Sequence, residues 1–378
     1  MDDRKPAARI RAYRPEDREG VLALFESEWG PEVRDSRALL FDWIHHWDAE
    51  FPQVHVARIA ESEGSIVGYA GSIPARIKLG DRVENGTLSI ENVVHPGHRG
   101  KGVRLLKAQI DARVILGSTA ARYHVLWSRL TGRSIDRSLL MEQVKRICVI
   151  DPTVRLLQKG LPAMPARLAG WIWRCWLALH CKVYRPRSEH TLVRVAEFPP
   201  QIDDFCREFS TRFKYMILRD RRFLNWRYAA CPIPYEKYCL YLEEQLSGYM
   251  SFRVCMVRKR KILLLVEIAA IRRVEESYGM MIAFLQKCAR ERGVSDIQTM
   301  ESGDLLLARV LTRRGFHSRK GRTPIIAHVC HDLDQEFPDI FVTQDRSQWH
   351  FCLGDSEFEF VFFGLDGSLG MIAATSAA

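Results

Sequence analysis

LSIENVVHPGHRGKGVRLLKAQIDARVIL, residues 88–116, passes from one kind of periodicity to another through a basic glycine loop. Leu88 to Val94 reads as a β-strand and His95 to His98 as a turn. Arg99-Gly100-Lys101-Gly102-Val103 is the loop, and beyond it Val103, Leu106, Ile110 and Val114 recur at helical spacing. A glycine turn between strand and helix lets backbone N–H groups converge on a phosphate at the positive end of the helix dipole, because no Cβ blocks the approach. The loop therefore reads as a pyrophosphate cradle. The plainer alternative is an ordinary basic β–α turn, since a glycine motif standing alone is a weak signal.

Upstream, Ala8 to Tyr13 alternate and meet Arg14-Pro15-Glu16-Asp17, an acidic helix start ahead of the apolar segment Val21 to Phe25. A second helix is expected over Ala38 to Trp47. Strands follow at Val54 to Ile59 and Ser65 to Ile77, turning at Glu61-Ser62-Glu63-Gly64, and Gly80-Asp81 marks a further turn. Downstream, Tyr123 to Trp127 reads as a short strand and Ser128 to Arg146 as a polar helix.

At its loop the chain resembles the GNAT superfamily of acyl-CoA-dependent N-acyltransferases. That family's signature is Arg or Gln, any two residues, Gly, any residue, then Gly or Ala. Arg99 to Val103 match it, Val94, Pro96 and Arg99 supply the V-x-P-x-x-R run that precedes it, and Arg104 departs from the final small residue. The resemblance implies a mixed, mostly antiparallel α/β sheet flanked by helices. It also implies acetyl-CoA or another acyl-CoA as co-substrate, with no metal. The backbone of Val93 and Val94 would then pair with the pantetheine arm, while Arg99, Gly100, Lys101, Gly102, Val103 and Arg104 take the pyrophosphate. Glu91, a carboxylate on the cofactor strand, is the candidate general base, and Asn92 could hold substrate or a water. On an unbroken strand these two face opposite ways, so only one would face the reaction cleft. No Tyr lies between Arg129 and Arg174 to serve as the acid that family members often carry. A CoA-binding or scaffold protein of the same fold is therefore the alternative to an enzyme.

With 378 residues the chain is expected to hold two domains, at 1–150 and 191–378, joined by a connector at 151–190. In the connector Trp171, Trp173 and Trp176 lie among Arg167, Arg174 and Lys182. This run is too short to span a bilayer, which takes about 20 apolar residues. It reads as a helix packed between domains, with peripheral membrane contact through Trp171 to Trp176 as the other reading. The run Asp220 to Tyr228, D-x-x-F-L-x-W-R-Y, is similar to bacterial GNAT-like proteins found in envelope-polysaccharide loci. It points to an amino sugar among the amines that could serve as small-molecule acceptor. Strands at Tyr238 to Glu243, Gly248 to Val257 and Ile262 to Ile271, then the helix Tyr278 to Arg292, the strand Ile297 to Met300 and the helix Leu305 to Arg314, repeat the order of the first half. The second loop, Arg272 to Ser277, has carboxylates where the first has glycines, so this domain is expected to shape the acceptor site without binding CoA.

The composition is globular, at 47% hydrophobic and 27% charged. The net charge of +10 is scattered rather than gathered in a tail, and no nucleic-acid motif appears. No apolar leader opens the chain, so a cytoplasmic protein is expected. Cysteines such as Cys175, Cys239, Cys255 and Cys288 sit in apolar runs and fit reduced core thiols. His328, Cys330, His331 and Asp332 lack the further ligands of a zinc site. In the aromatic tail, Asp355 in the turn Gly354 to Ser356 could reach an amine, although turn aspartates are usually structural.

Overall fold

The computed structural model describes residues 8–31, 34–48, 57–98, 102–109, 114–118, 139–180, 189–257, 259–329 and 346–355. The chain forms two compact units, residues 1–142 with 323–344 and residues 143–322 with 345–378. Compared with a partition at 1–150, 151–190 and 191–378, residues 143–190 thus group with the second unit and 323–344 with the first. Strand pairing, not distance along the chain, makes the grouping.

The first unit contains β1 (Arg9–Ala12), α1 (Arg18–Trp29), α2 (Arg34–Asp48), β2 (Ala57–Ser62), β3 (Ser65–Leu79), β4 (Arg82–Val94), α3 (Gly102–Gln109) and β5 (Val114–Ser118). Next along the chain come β6 (Leu139–Val149), α4 (Thr153–Gln158), α5 (Ala163–His180), β7 (His190–Val195), α6 (Ile202–Ser210), β8 (Tyr215–Ile217) and α7 (Arg221–Tyr228). They are followed by β9 (Glu236–Leu242), β10 (Gln245–Val257), β11 (Arg260–Ala270), α8 (Val274–Glu291), β12 (Asp296–Ser302), α9 (Leu305–Arg313), β13 (His317–Val329) and β14 (Trp349–Cys352). Two expectations are corrected. Residues 139–149 are a strand rather than the end of a helix, in keeping with the β-branched run at its C-terminal end, and Val114 opens β5 instead of continuing α3. The expected strand at 123–127 lies outside the described residues.

In the first unit the strand order is β1-β2-β3-β4-β5-β13, antiparallel at every pair except β4 with β5. In the second it is β6-β12-β11-β10-β9-β7, with β11 and β12 the parallel pair. Both units are therefore mixed, mostly antiparallel sheets flanked by helices. The β2–β3 hairpin turns at Glu63 and Gly64 and the β9–β10 hairpin at Glu243 and Glu244, with positive φ at both positions of each, the geometry whose twist suits a two-residue loop.

On one face of the first sheet α1 and α2 bury Val21, Phe25 and Phe41 against Ile59, Tyr69 and Val93. On the other, Leu105 of α3 packs on Ala60, Val67 and Ala70. Burying one such leucine contributes about 2 kcal/mol. Gly68 makes the close approach possible, because a Cβ there would lie 3.3 Å from Leu105 and 3.2 Å from Ala60.

Arg11 ties β1 to the start of α1. Its guanidinium donates to both oxygens of Asp17, each at 2.7 Å, and to Glu61 at 2.9 Å. These bonds hold the Asp17 carboxyl below its ordinary 3.8. A depressed carboxylate stabilises the fold above its unfolded pKa and loses that contribution as pH falls through the folded value. Asp17→Asn is expected to lower stability by about 1–2 kcal/mol at pH 7. Urea unfolding repeated through pH 3 should show the gap closing; a gap constant with pH would remove the charge from the explanation.

Candidate active site

In the first unit β4 and β5 pair only at Thr87 with Ile115 and Leu88 with Leu116 among the described residues. Beyond Leu88 the strands part, while β4 stays on β3 through Asn92, Val93 and Val94. Between Ser89 and Asn92 the register slips, placing one extra residue on β4. Such a bulge twists a strand and re-aims its side chains. The β4 edge is thus released from its parallel neighbour immediately before the turn Pro96–His98 and the start of α3 at Gly102. Backbone amides on that edge need partners, and an extended chain carrying its own amides can supply them.

Glu91 lies in the bulge, and Asn92, next to it, is exposed, its amide donating to the Ile90 carbonyl at 3.3 Å. The bulge removes the unbroken alternation on which opposite facing of Glu91 and Asn92 was expected. Val93 is buried beneath α1 and α2, whereas Val94 is half-buried toward α3. Arg99, Gly100 and Lys101 fall outside the described residues. Gly102 is half-buried, and Val103 and Arg104 are exposed. The expected stripe through Val103 is therefore corrected: the sheet receives Leu105, 1% exposed, because Ala60, Gly68 and Ala70 leave room for it there.

The second unit repeats this arrangement with its cleft filled. Leu88 to Leu105 lines up with Leu264 to Met281 without a gap, so that Glu91 answers to Glu267, Gly100 to Glu276 and Gly102 to Tyr278. β11 is paired to β12 from Ile262 to Leu264 and then carries one extra residue between Leu265 and Glu267. The two strands part there as well, and β14 occupies the space, pairing with Glu301 and Ser302 of β12. Tyr278 is fully buried and donates to Asp304 at 2.6 Å. Arg212 donates to the same carboxylate at 3.0 Å and to the Ala270 carbonyl at 2.6 Å. That carbonyl ends β11 as the Val94 carbonyl ends β4. The left-handed backbone of the second loop falls on Arg273, at φ 39°, and Val274 is spared it as the first turn of α8.

Deeper in the same wedge Arg219 bonds Glu267 and, at 2.6 Å, Asp355, all three side chains buried. Tyr228 and Tyr249 donate to Glu267 at 2.5 and 2.7 Å. Burial, then the Glu267 charge, pushes both phenols well above their ordinary range. Asp355 accepts from Arg219 and from the Cys352 amide at 2.9 Å, which answers its sequence reading: it is structural. At Gly354 a Cβ would lie 2.1 Å from the Tyr228 hydroxyl, so the segment fits the wedge only as glycine. A cavity of about 10 Å³ beside Glu267, Met300 and His350 remains, room for one water. Among the described residues the wedge of the second unit is thus filled, and its loop from Arg272 to Ser277 carries no glycine.

Two residues on the α2 face of the first unit escaped sequence reasoning. His45 Nε2 lies 3.2 Å from the Tyr69 hydroxyl, and the imidazole stacks on Tyr13 at 4.4 Å. Tyr69 crosses from Val93, and its counterpart Tyr249 holds Glu267, the counterpart of Glu91. Gly68-Tyr69 against Gly248-Tyr249 was the signal available. Among the described residues no His, Cys, Asp or Glu cluster could hold a metal. Cys239 and Cys288 are buried, the Cys239 thiol pushed up to about 12 by burial, but Cys175 is exposed, because it lies on the outer face of α5.

The protein has the fold of the GCN5-related N-acetyltransferases, as its likeness to solved structures shows. It is similar to a GCN5-related N-acetyltransferase from Anabaena variabilis (10% identity, 85% of this chain and 72% of that one, TM-score 0.56). It is also similar to an Enterococcus faecalis protein described as a probable N-acyltransferase (11%, 86% and 73%, TM-score 0.57). A third similar structure is Saccharomyces cerevisiae N-myristoyltransferase with bound myristoyl-CoA (11%, 87% and 81%, TM-score 0.54). The sequence matches no protein-family model and no curated protein.

Proposed function

We propose that the first unit is an acyl-CoA-dependent N-acyltransferase, moving an acetyl or other acyl group to the primary amine of a small molecule in the cytoplasm. The observation that carries this reading is the released, bulged edge of β4 above the start of α3. The similar folds of an N-acetyltransferase and of a protein that binds myristoyl-CoA support it. An amino sugar of an envelope polysaccharide precursor is the acceptor class to which the Asp220 to Tyr228 run points.

In this proposal the Val93 and Val94 backbone holds the pantetheine amides, and Arg99 to Arg104 neutralise the pyrophosphate at the N-terminus of α3. The neutral amine attacks the thioester carbonyl, a β4 amide stabilises the oxyanion, the C–S bond breaks, and Glu91 takes the amine proton. Asn92 orients the acceptor or a water, and His45 and Tyr69, 3.2 Å apart, lie on the α2 face.

Thiol release from acetyl-CoA in the presence of a panel of amines tests the reaction. Binding of acetyl-CoA without release from any amine would leave a CoA-binding protein instead. Glu91→Gln is expected to lower kcat about 100-fold and to abolish the acidic limb of the pH–rate profile. A variant with the full rate at every pH would take Glu91 out of the reaction.

A further inference from the structure

Helix α5 is amphipathic the wrong way round for a helix that serves only to pack. Its inward residues are small: Ala166 and Gly170 are buried with Leu177, and a Cβ on Gly170 would lie 2.0 Å from the Thr153 hydroxyl. Trp173 adds a hydrogen bond to the Val149 carbonyl at 2.8 Å. The large apolar residues point the other way, with Met164 83%, Leu168 60%, Trp171 58%, Ile172 53% and Leu179 81% exposed. At about 100° per residue these five fall on one broad arc. A helix held only by its own core would turn that arc inward, and contiguous exposed apolar surface marks a contact site.

Cations outnumber carboxylates along this stretch, although Arg174 pairs with Asp151 at 2.5 Å and Arg155 with Asp296 at 2.7 Å. From Pro152 to Ser188 the sequence contains no Asp or Glu and seven Lys or Arg. Arg167, exposed on α5, borders the arc, and Lys159 is exposed in the turn that precedes the helix. No helix among the described residues is long and apolar enough to cross a membrane. An exposed apolar face with tryptophan and a cationic surround is the pattern of a helix lying in a lipid–water interface, its rings at headgroup depth and its cations on lipid phosphates.

We infer that α5 docks the protein on an anionic lipid surface, lying flat with Leu168, Trp171, Ile172 and Leu179 in the interface. The inference stands apart from acyl transfer, since vesicle binding is read without any turnover. Full-length protein is floated with phosphatidylcholine vesicles that contain or lack phosphatidylglycerol. The protein is expected to float with the anionic vesicles, less at high salt, with a blue shift of tryptophan emission. Leu168→Ser with Ile172→Ser should lower the bound fraction at least about tenfold, and Arg167→Glu about fivefold. Because these side chains are exposed, the thermal unfolding curve should not move. Failure of the wild-type protein to float, or flotation of the double variant equal to wild type, would overturn the inference. A wild-type dimer that the double variant dissolves, with no flotation, would also overturn it and assign the face to a second copy of the chain.

Discussion

Replacing Arg219 by methionine is expected to destabilise the second unit by about 3–5 kcal/mol at neutral pH. Methionine matches the stem of arginine but leaves Glu267 and Asp355 buried without their shared cation. It also strands the Ile217 carbonyl, which accepts from Arg219 at 2.6 Å. The pH dependence carries a sign. Asp355 is already raised above its ordinary value, by burial first and with the Glu267 charge adding to it, and Arg219 opposes both. Without the arginine the Asp355 carboxyl rises further. A raised carboxyl leaves stability intact below the unfolded pKa and costs it as pH climbs through the folded value. The deficit of the variant should therefore be smallest near pH 4 and grow toward neutrality. Urea unfolding followed by circular dichroism at pH 4 and pH 7 measures it; a loss below about 1 kcal/mol at both would mean that the cluster does not depend on its cation.

Gly102→Glu is expected to weaken acetyl-CoA binding at least about 50-fold, with Gly100→Glu close behind. Two effects act together. A carboxylate at the start of α3 repels the pyrophosphate and neutralises the helix end that would attract it, and the added side chain fills space the ligand needs. The fold should not suffer. A Cβ at position 102 would meet only the Val94 methyl at 3.2 Å, and an acidic residue in the first turn favours a helix over glycine. Calorimetric titration with acetyl-CoA, beside an unchanged melting curve, separates lost binding from lost folding. Equal affinity in both variants would remove the loop from the site. The second unit has a glutamate, Glu276, in the place of Gly100 and a tyrosine, Tyr278, in the place of Gly102.

Much of this was legible because it is local. The strand-to-helix stretch, the hairpin at Glu63-Gly64 and the carboxylates of the second loop each follow from a few neighbouring residues. What periodicity missed was tertiary. It chose Val103 over Leu105, because the facing surface selects the buried residue and Gly68 lies far away in sequence. It extended a helix into 139–146, because the pairing of Val144 to Val149 with β12 supplies hydrogen bonds that the segment cannot make alone.

The sequence by itself determined the class of fold and the replacement of the first loop's glycines by carboxylates in the second half. Glycine spacing and charge act within a turn and need no distant partner. Only the tertiary structure decided that β4 carries a bulge at Glu91, that β14, Tyr278, Arg212 and Arg219 fill the equivalent wedge, and that α5 turns its tryptophan-bearing face outward. Each of these depends on which surfaces meet, and a wedge between two strands exists only once both are in the sheet.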